Sequence, residues 1–201
     1  MPDVPPDPGS VPRRAPEPAA ARRKLLLIAA ICIAPVAASY AFYYLSPRGS
    51  FVNYGTLLPT APAPVPDGTR SDGTPFRLAD LGGRWVLLVA PKGRCETPCE
   101  RLLYSSRQAR TMQGKEQDRI VRVLLVPEGA APDAAMLAEH PGLVVAQVGA
   151  AARAGLPGTA DAIYVIDPLG NLVLRYDAEP DPDIKGISRD LARLLKASGI
   201  G

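Results

Sequence analysis

Hydrophobic positions are spread unevenly along this chain, and their spacing divides it into four stretches. Residues 1–24 are rich in proline and alanine, with almost no large apolar residue before Leu25, and such a segment cannot bury a core. It is expected to be a disordered tail. Leu25 to Leu45 is a run of 21 residues without a charge, the length that crosses the hydrocarbon of a bilayer. Residues 46–66 carry Pro47, Pro59, Pro62, Pro64 and Pro66 with little periodicity and predict an extended tether. From Asp67 to the end, short apolar runs alternate with segments of helical spacing, as one ordinary domain requires.

Within that domain the pattern predicts the elements in turn. Asp67 to Leu78 holds two Asp-Gly turn signals and reads as a short hairpin. Trp85-Val86-Leu87-Leu88-Val89-Ala90 is solidly apolar and reads as a strand buried on both faces. A helix over 101–110 follows, then a second strong strand over 119–126, a short helix over 132–139 and a third strand over 143–148. Residues 150–154 predict a turn of helix. Two further strands, 162–167 and 172–176, are joined across Pro168-Leu169-Gly170-Asn171 as an antiparallel hairpin. The closing helix, about 183–197, places Ile184, Ile187, Leu191, Leu194 and Leu195 at helical spacing. This order of elements is the layout of a thioredoxin-like α/β domain, a central mixed sheet flanked by helices. Its reactive loops lie at the carboxyl ends of the parallel strands.

One such loop carries the candidate chemistry. Lys92-Gly93-Arg94-Cys95-Glu96-Thr97-Pro98-Cys99-Glu100 joins the buried strand to the helix behind it. Pro98 suits the first helical position and pushes Thr97 out of helical geometry, so Cys99 is expected in the first turn and Cys95 just outside it. Both thiols then sit near the positive end of the helix dipole, which favours thiolate. Residues four apart on a continuous helix have side-chain roots about 5 to 6 Å apart, more than the roughly 3.5 to 4.5 Å of a disulfide. With the turn opened by Pro98, the pair can close a disulfide or grip one soft metal ion. Lys92, Arg94 and Arg101 favour the thiolates, and Glu96 and Glu100 oppose them. A structural staple is the plainer alternative, although closing so short a loop stabilises weakly.

Charge refines the picture. The chain has 23 basic and 20 acidic residues among 201, and the part after residue 45 is nearly neutral. It lacks the clustered lysines and arginines of a nucleic-acid binder. Arg13, Arg14, Arg22, Arg23 and Lys24 precede the apolar run, and Tyr40, Phe42, Tyr43 and Tyr44 crowd its far end as an interfacial aromatic belt. The positive-inside rule then leaves the N-terminus in the cytoplasm and the domain outside. In a bacterial inner membrane the domain would be periplasmic, in an oxidising compartment. A leader cleaved near Val36-Ala37-Ala38 is the alternative, at odds with the apolar run that continues to Leu45. Cys32 follows Ile31, where a lipid-modification site needs a small residue, and reads as an apolar filler of the span.

The span, the proline-containing tether, Cys95-Glu96-Thr97-Pro98-Cys99 after an apolar strand and the hairpin Tyr164-Val165-Ile166-Asp167-Pro168-Leu169-Gly170 together resemble the Sco/SenC family over roughly residues 67 to 198. That resemblance implies a membrane-anchored copper chaperone for cytochrome c oxidase assembly, with Cys95 and Cys99 as metal ligands. The family's site is completed by a histidine about five residues before the hairpin tyrosine, and here that place is Thr159. The only histidine, His140, follows the short helix. It is expected about one strand length, 17 to 20 Å, from Cys95, as a surface cap on that helix.

Two thiolates can still hold Cu(I), whereas Cu(II) would lose its imidazole. Asp161 is a weak third candidate, because a hard carboxylate suits Cu(I) poorly. Met112 and Met136 are soft donors able in principle to ligate, with a core or surface helix role as their default. Three functions follow. The first is Cu(I) transfer towards an oxidase subunit or other copper or thiol protein. The second is a periplasmic thiol:disulfide oxidoreductase with Cys95 attacking and Cys99 resolving. The third is a non-catalytic scaffold. Pro157 sits five residues ahead of Ala162, offset from the position of the cis-proline of redox thioredoxins, which weakens the second.

Overall fold

The computed structural model describes residues 18–45, 53–65, 67–158 and 161–199, in two compact units, Met1–Ser50 and Phe51–Gly201. In the first unit, helix α1 runs from Pro18 to Leu45. Its segment Ala21–Leu45 has the length and hydropathy of a membrane span. At 25 residues it is about 37 Å long. The helix starts earlier than the apolar pattern indicates, so residues 18–24 are not part of a disordered tail. Ala19, Ala20 and Ala21 are strong helix formers, and Pro18 is tolerated in a first turn. The expectation for residues 1–17 falls outside the described residues. Cys32 is a free, exposed thiol on this helix.

The second unit is built on an eight-stranded sheet in the order β1-β8-β7-β4-β5-β6-β2-β3. Its strands are β1 (Thr56–Pro62), β2 (Gly68–Arg70), β3 (Pro75–Phe76), β4 (Trp85–Ala90), β5 (Ile120–Pro127), β6 (Leu143–Val148), β7 (Ala162–Ile166) and β8 (Asn171–Asp177). Helices α2 (Thr97–Thr111), α3 (Ala134–Ala138), α4 (Ala150–Ala154) and α5 (Ile184–Ser198) complete it. β4, β5 and β6 are parallel, while β7 pairs antiparallel with both β4 and β8. This is the thioredoxin-like mixed sheet that the order of elements predicts.

Every residue of β4 is buried, because both faces of the sheet are covered. Trp85, Leu87 and Val89 pack with Leu102 and Leu103 of α2 and Ile187 and Leu191 of α5. Val86, Leu88 and Ala90 face a second cluster that includes Phe76, Tyr164 and Leu156. The expected turn in the β7–β8 hairpin is present: Asp167 Oδ1 accepts from the backbone N–H groups of Leu169 (2.9 Å) and Asn171 (2.8 Å).

The tether expected over residues 46–66 is corrected where it is described. Thr56–Pro62 is edge strand β1, paired with β8 through Leu57↔Leu174 and Ala61↔Leu172, with an irregularity between the two. An edge strand needs ladder donors on one side only, so it accommodates Pro59 and Pro62. The lead-in to β1 is clamped to α5. Asp190, 1 % exposed, accepts from the N–H groups of Tyr54 (3.1 Å) and Gly55 (2.9 Å) and from the hydroxyl of Tyr176 (3.2 Å). The Tyr54 and Tyr176 rings stack at 5.9 Å.

Candidate functional site

A parallel strand delivers its carboxyl end to the same edge of the sheet as its parallel neighbours, so the loop after β4 lies beside the loop after β5. The first of these loops carries Cys95. It is held from two sides: Asp161 Oδ1 accepts from the backbone N–H of Lys92 (2.8 Å), and Arg153 of α4 donates to the carbonyls of Pro91 (3.4 Å) and Lys92 (3.2 Å). Asp161 therefore braces the loop with the oxygen that was a candidate third donor.

α2 begins at Thr97 with Glu96 as N-cap, so Thr97 is inside the helix and not outside it as the following proline suggests; Cys99 still falls in the first turn and Cys95 ahead of it, as expected. The two cysteines form a disulfide with Cα atoms 5.1 Å apart. Their exposures differ. Cys99 is 0 % exposed within the core beneath α2, whereas Cys95 is half-buried at its margin.

The electrostatic surroundings depart from expectation at one residue. Arg101 pairs with Glu179 and Asp181 at 2.9 Å each, in the segment between β8 and α5, and so is engaged away from the sulfurs. Lys92 and Arg94 are exposed in the cysteine loop, as are Glu96 and Glu100. The cis peptide bond among the described residues is Glu179–Pro180, and not the bond before Pro157.

His140 is no surface cap. It is 5 % exposed and lies beside the buried Arg122 of β5, its Nδ1 3.5 Å from the guanidinium. A guanidinium only donates, so Nδ1 accepts and the ring proton is assigned to Nε2. Burial first, then the Arg122 and Arg107 cations, hold its pKa below the usual histidine value. Burial and neighbouring Arg110 and Arg107 push Arg122 itself down to about 10. Arg122 also donates to the carbonyl of Pro141 at 2.8 Å. Its register partner Leu143 opens β6, so Arg122 sits towards the strand starts, while His140 also borders the cavity that Met136 and Glu100 line.

One of the two methionines named as soft donors lies against the sulfurs, which its default packing role does not predict. Met136 of α3, half-buried, places its Sδ 4.0 Å from Cys95 Sγ. With Cys95 oxidised there is no S–H to donate, so the two atoms touch by van der Waals contact. Cys95, Arg94, Val126, Pro127 and Met136 line one open cavity of about 270 Å³. Met136 and Glu100 also border a second, of about 610 Å³, that extends to Tyr104 and Asp181. Met112, the other methionine of the domain, is exposed at the far end of α2. Thr159 lies outside the described residues. Among the described residues no three His, Cys, Asp or Glu side chains gather as a metal group.

The family described as "Transmembrane-like, thioredoxin-like, C-terminal domain" matches residues 85–198. No curated protein sequence matches the chain. Its structure is similar to that of apo Sco1 from Thermus thermophilus, with a TM-score of 0.59 and 22 % identity over 73 % of this chain and 99 % of that one. A SCO1/SenC family lipoprotein from Bacillus anthracis gives 0.51 and 19 % over 69 % and 94 %. Copper-bound ScoI from Arabidopsis thaliana gives 0.51 and 15 % over 71 % and 98 %. At these identities the likeness is one of fold.

Proposed function

Because the chain belongs to the family of transmembrane-like, thioredoxin-like C-terminal domains, we propose that it is a membrane-tethered, Sco-like assembly protein acting through Cys95 and Cys99. The observation that carries this reading is the asymmetry of the pair: half-exposed Cys95 joined to wholly buried Cys99 at the mouth of α2. A structural staple gains nothing from leaving one sulfur at the surface, whereas exchange chemistry requires it.

The reduced dithiol takes Cu(I) as cargo, releasing two thiol protons as the ion enters. Two soft sulfurs suit Cu(I), and His140 is committed to Arg122, so no imidazole is offered to Cu(II). The recipient is a cytochrome c oxidase subunit or another copper or thiol protein. α1 anchors the chain in the bacterial inner membrane, with Arg22, Arg23 and Lys24 on the cytoplasmic side and the domain in the periplasm. The fold shared with the Sco1 and ScoI proteins supports this reading. The test is Cu(I) stoichiometry against free-thiol count on one anaerobic, reduced preparation of the full chain in detergent. One ion per chain, lost in the Cys95→Ser/Cys99→Ser double variant, is expected; retention of full binding by that variant would overturn it.

The disulfide itself favours a second reading, thiol:disulfide exchange. The Cys95 thiolate attacks a partner disulfide and expels one partner thiolate, giving a mixed disulfide. The Cys99 thiolate then attacks Cys95 Sγ, closing the intramolecular bond and releasing the second partner thiolate. Two electrons pass to the partner and none are left over. Reduction of an insulin or partner-peptide disulfide by the same sample, without copper binding, selects this function. A sample active in neither assay is a scaffold.

A further inference from the structure

The loop that carries a histidine in Sco/SenC proteins has none here, yet a third soft donor already touches the pair from another direction. Met136 Sδ lies 4.0 Å from Cys95 Sγ across 41 residues of sequence. Three sulfurs around one ion, each bonded at about 2.3 Å and spread at 120°, stand about 4 Å from one another. The Cys95–Met136 separation is already one edge of that triangle. Cys99 Sγ, bonded to Cys95 in the oxidised form, supplies the third corner once the disulfide is reduced and the sulfurs part.

The placement of Met136 is built in. α3 is capped by Asp133, whose Oδ1 accepts from the N–H of Ala135 at 3.1 Å, and the helix directs Met136 to the cavity that Cys95 also lines. Asp161 braces Lys92, His140 faces Arg122, and Met112 lies at the far end of α2; Glu100 and Asp133 line the same cavity as Cys95, but a hard carboxylate suits Cu(I) poorly. A neutral thioether adds no charge to the two thiolates, and Lys92 and Arg94 in the same loop offset their anionic excess. It is also a donor that favours Cu(I) over Cu(II).

We propose that Met136 is the third ligand of a Cu(I) site formed with Cys95 and Cys99 when the disulfide is reduced, a sulfur-only site in place of one completed by imidazole. This rests on the copper reading of the cysteine pair. It makes the chain a carrier of cuprous ion alone.

The test compares the full chain in detergent, reduced and anaerobic, with Met136→Leu, Met136→Ile and Cys95→Ser/Cys99→Ser. Two readouts are used: competition for Cu(I) against a chromophoric chelator, and the number of sulfur neighbours from copper X-ray absorption. The oxidised forms of both Met136 variants are checked for an unchanged melting temperature, since Leu and Ile are close to Met in volume. Wild type is expected to show three sulfurs. The two Met136 variants are expected to show two sulfurs with affinity lower by at least about tenfold, the loss that even an outer partner of a metal site causes. Wild-type affinity and three sulfurs in either folded Met136 variant would overturn the third ligand while leaving the cysteine pair standing. Copper retained by the double cysteine variant, or absent from wild type, would overturn both.

Discussion

The cysteine edge and the Asp190 clamp are both places where polar or polarisable atoms meet a helix, and they are built in opposite ways. Asp190 is 1 % exposed and has the N–H groups of Tyr54 and Gly55, the Tyr176 hydroxyl and, at 3.5 Å, Arg193 around its carboxylate. Gly186 lets the Tyr54 ring close over α5, for a Cβ there would lie 2.5 Å from that ring. Cys95 instead stands half-buried beside open cavities with another sulfur as its non-bonded neighbour. A buried charge surrounded by donors is fixed in place, whereas a partly exposed sulfur without polar partners is free to change its bonding. The first region fastens the chain entering the domain, and the second does the chemistry.

Breaking the clamp should have the largest effect on stability. Asp190→Ala strands several buried donors and is expected to cost roughly 3 to 5 kcal/mol in urea unfolding, with the thiol chemistry of the folded fraction unchanged. Reducing the disulfide should cost less. Its closed loop is short, and chain entropy sets the loss at about 2 kcal/mol, read as a lower urea midpoint in reductant. Equal losses from the two changes would erase the distinction between fastening and function.

The His140–Arg122 pair, with Arg122 near the start of β5, adds a pH dependence. His140 is held neutral in the fold, while in the unfolded chain it titrates near its ordinary 6.5. The stabilisation is therefore complete above about pH 6.5 and is lost as pH falls through the lower native pKa. The urea midpoint should drop from pH 7 to pH 5, and His140→Gln should shrink that drop. The smallest effect belongs to Arg101→Ala. Its pairs with Glu179 and Asp181 are solvent-exposed, so stability should change by at most about 1 kcal/mol. A large change in thiol reactivity in that variant would show that Arg101 acts on the sulfurs after all.

The spacing of apolar residues made most of the sheet legible. β6 occupies the expected Leu143–Val148, and the hairpin at Asp167 turns where Pro-Leu-Gly-Asn indicates. β1 was hidden because prolines argue against a strand unless it is known to lie at an edge, and edge position is a tertiary fact. α1 began early because alanine carries helix propensity but little hydrophobicity. The cysteine pair was readable from Pro98 and the strand before it. The contact of Met136 with Cys95 and the burial of His140 were not, because each depends on a partner distant in sequence: Cys95 across 41 residues, Arg122 across 18. A signal for Met136 did exist. It lies in the connection after β5, the parallel neighbour of β4, and such a connection starts at the carboxyl edge where the cysteine loop sits.

The most direct test of a reversible Cys95–Cys99 couple with Cys95 as its outer member is equilibration of the full chain across a series of glutathione redox buffers, followed by alkylation and intact-mass analysis. The account expects a reversible two-electron transition in wild type, and in Cys99→Ser a glutathione adduct trapped on Cys95. A pair that stays oxidised at every ratio, or a Cys95 that forms no adduct, would contradict it.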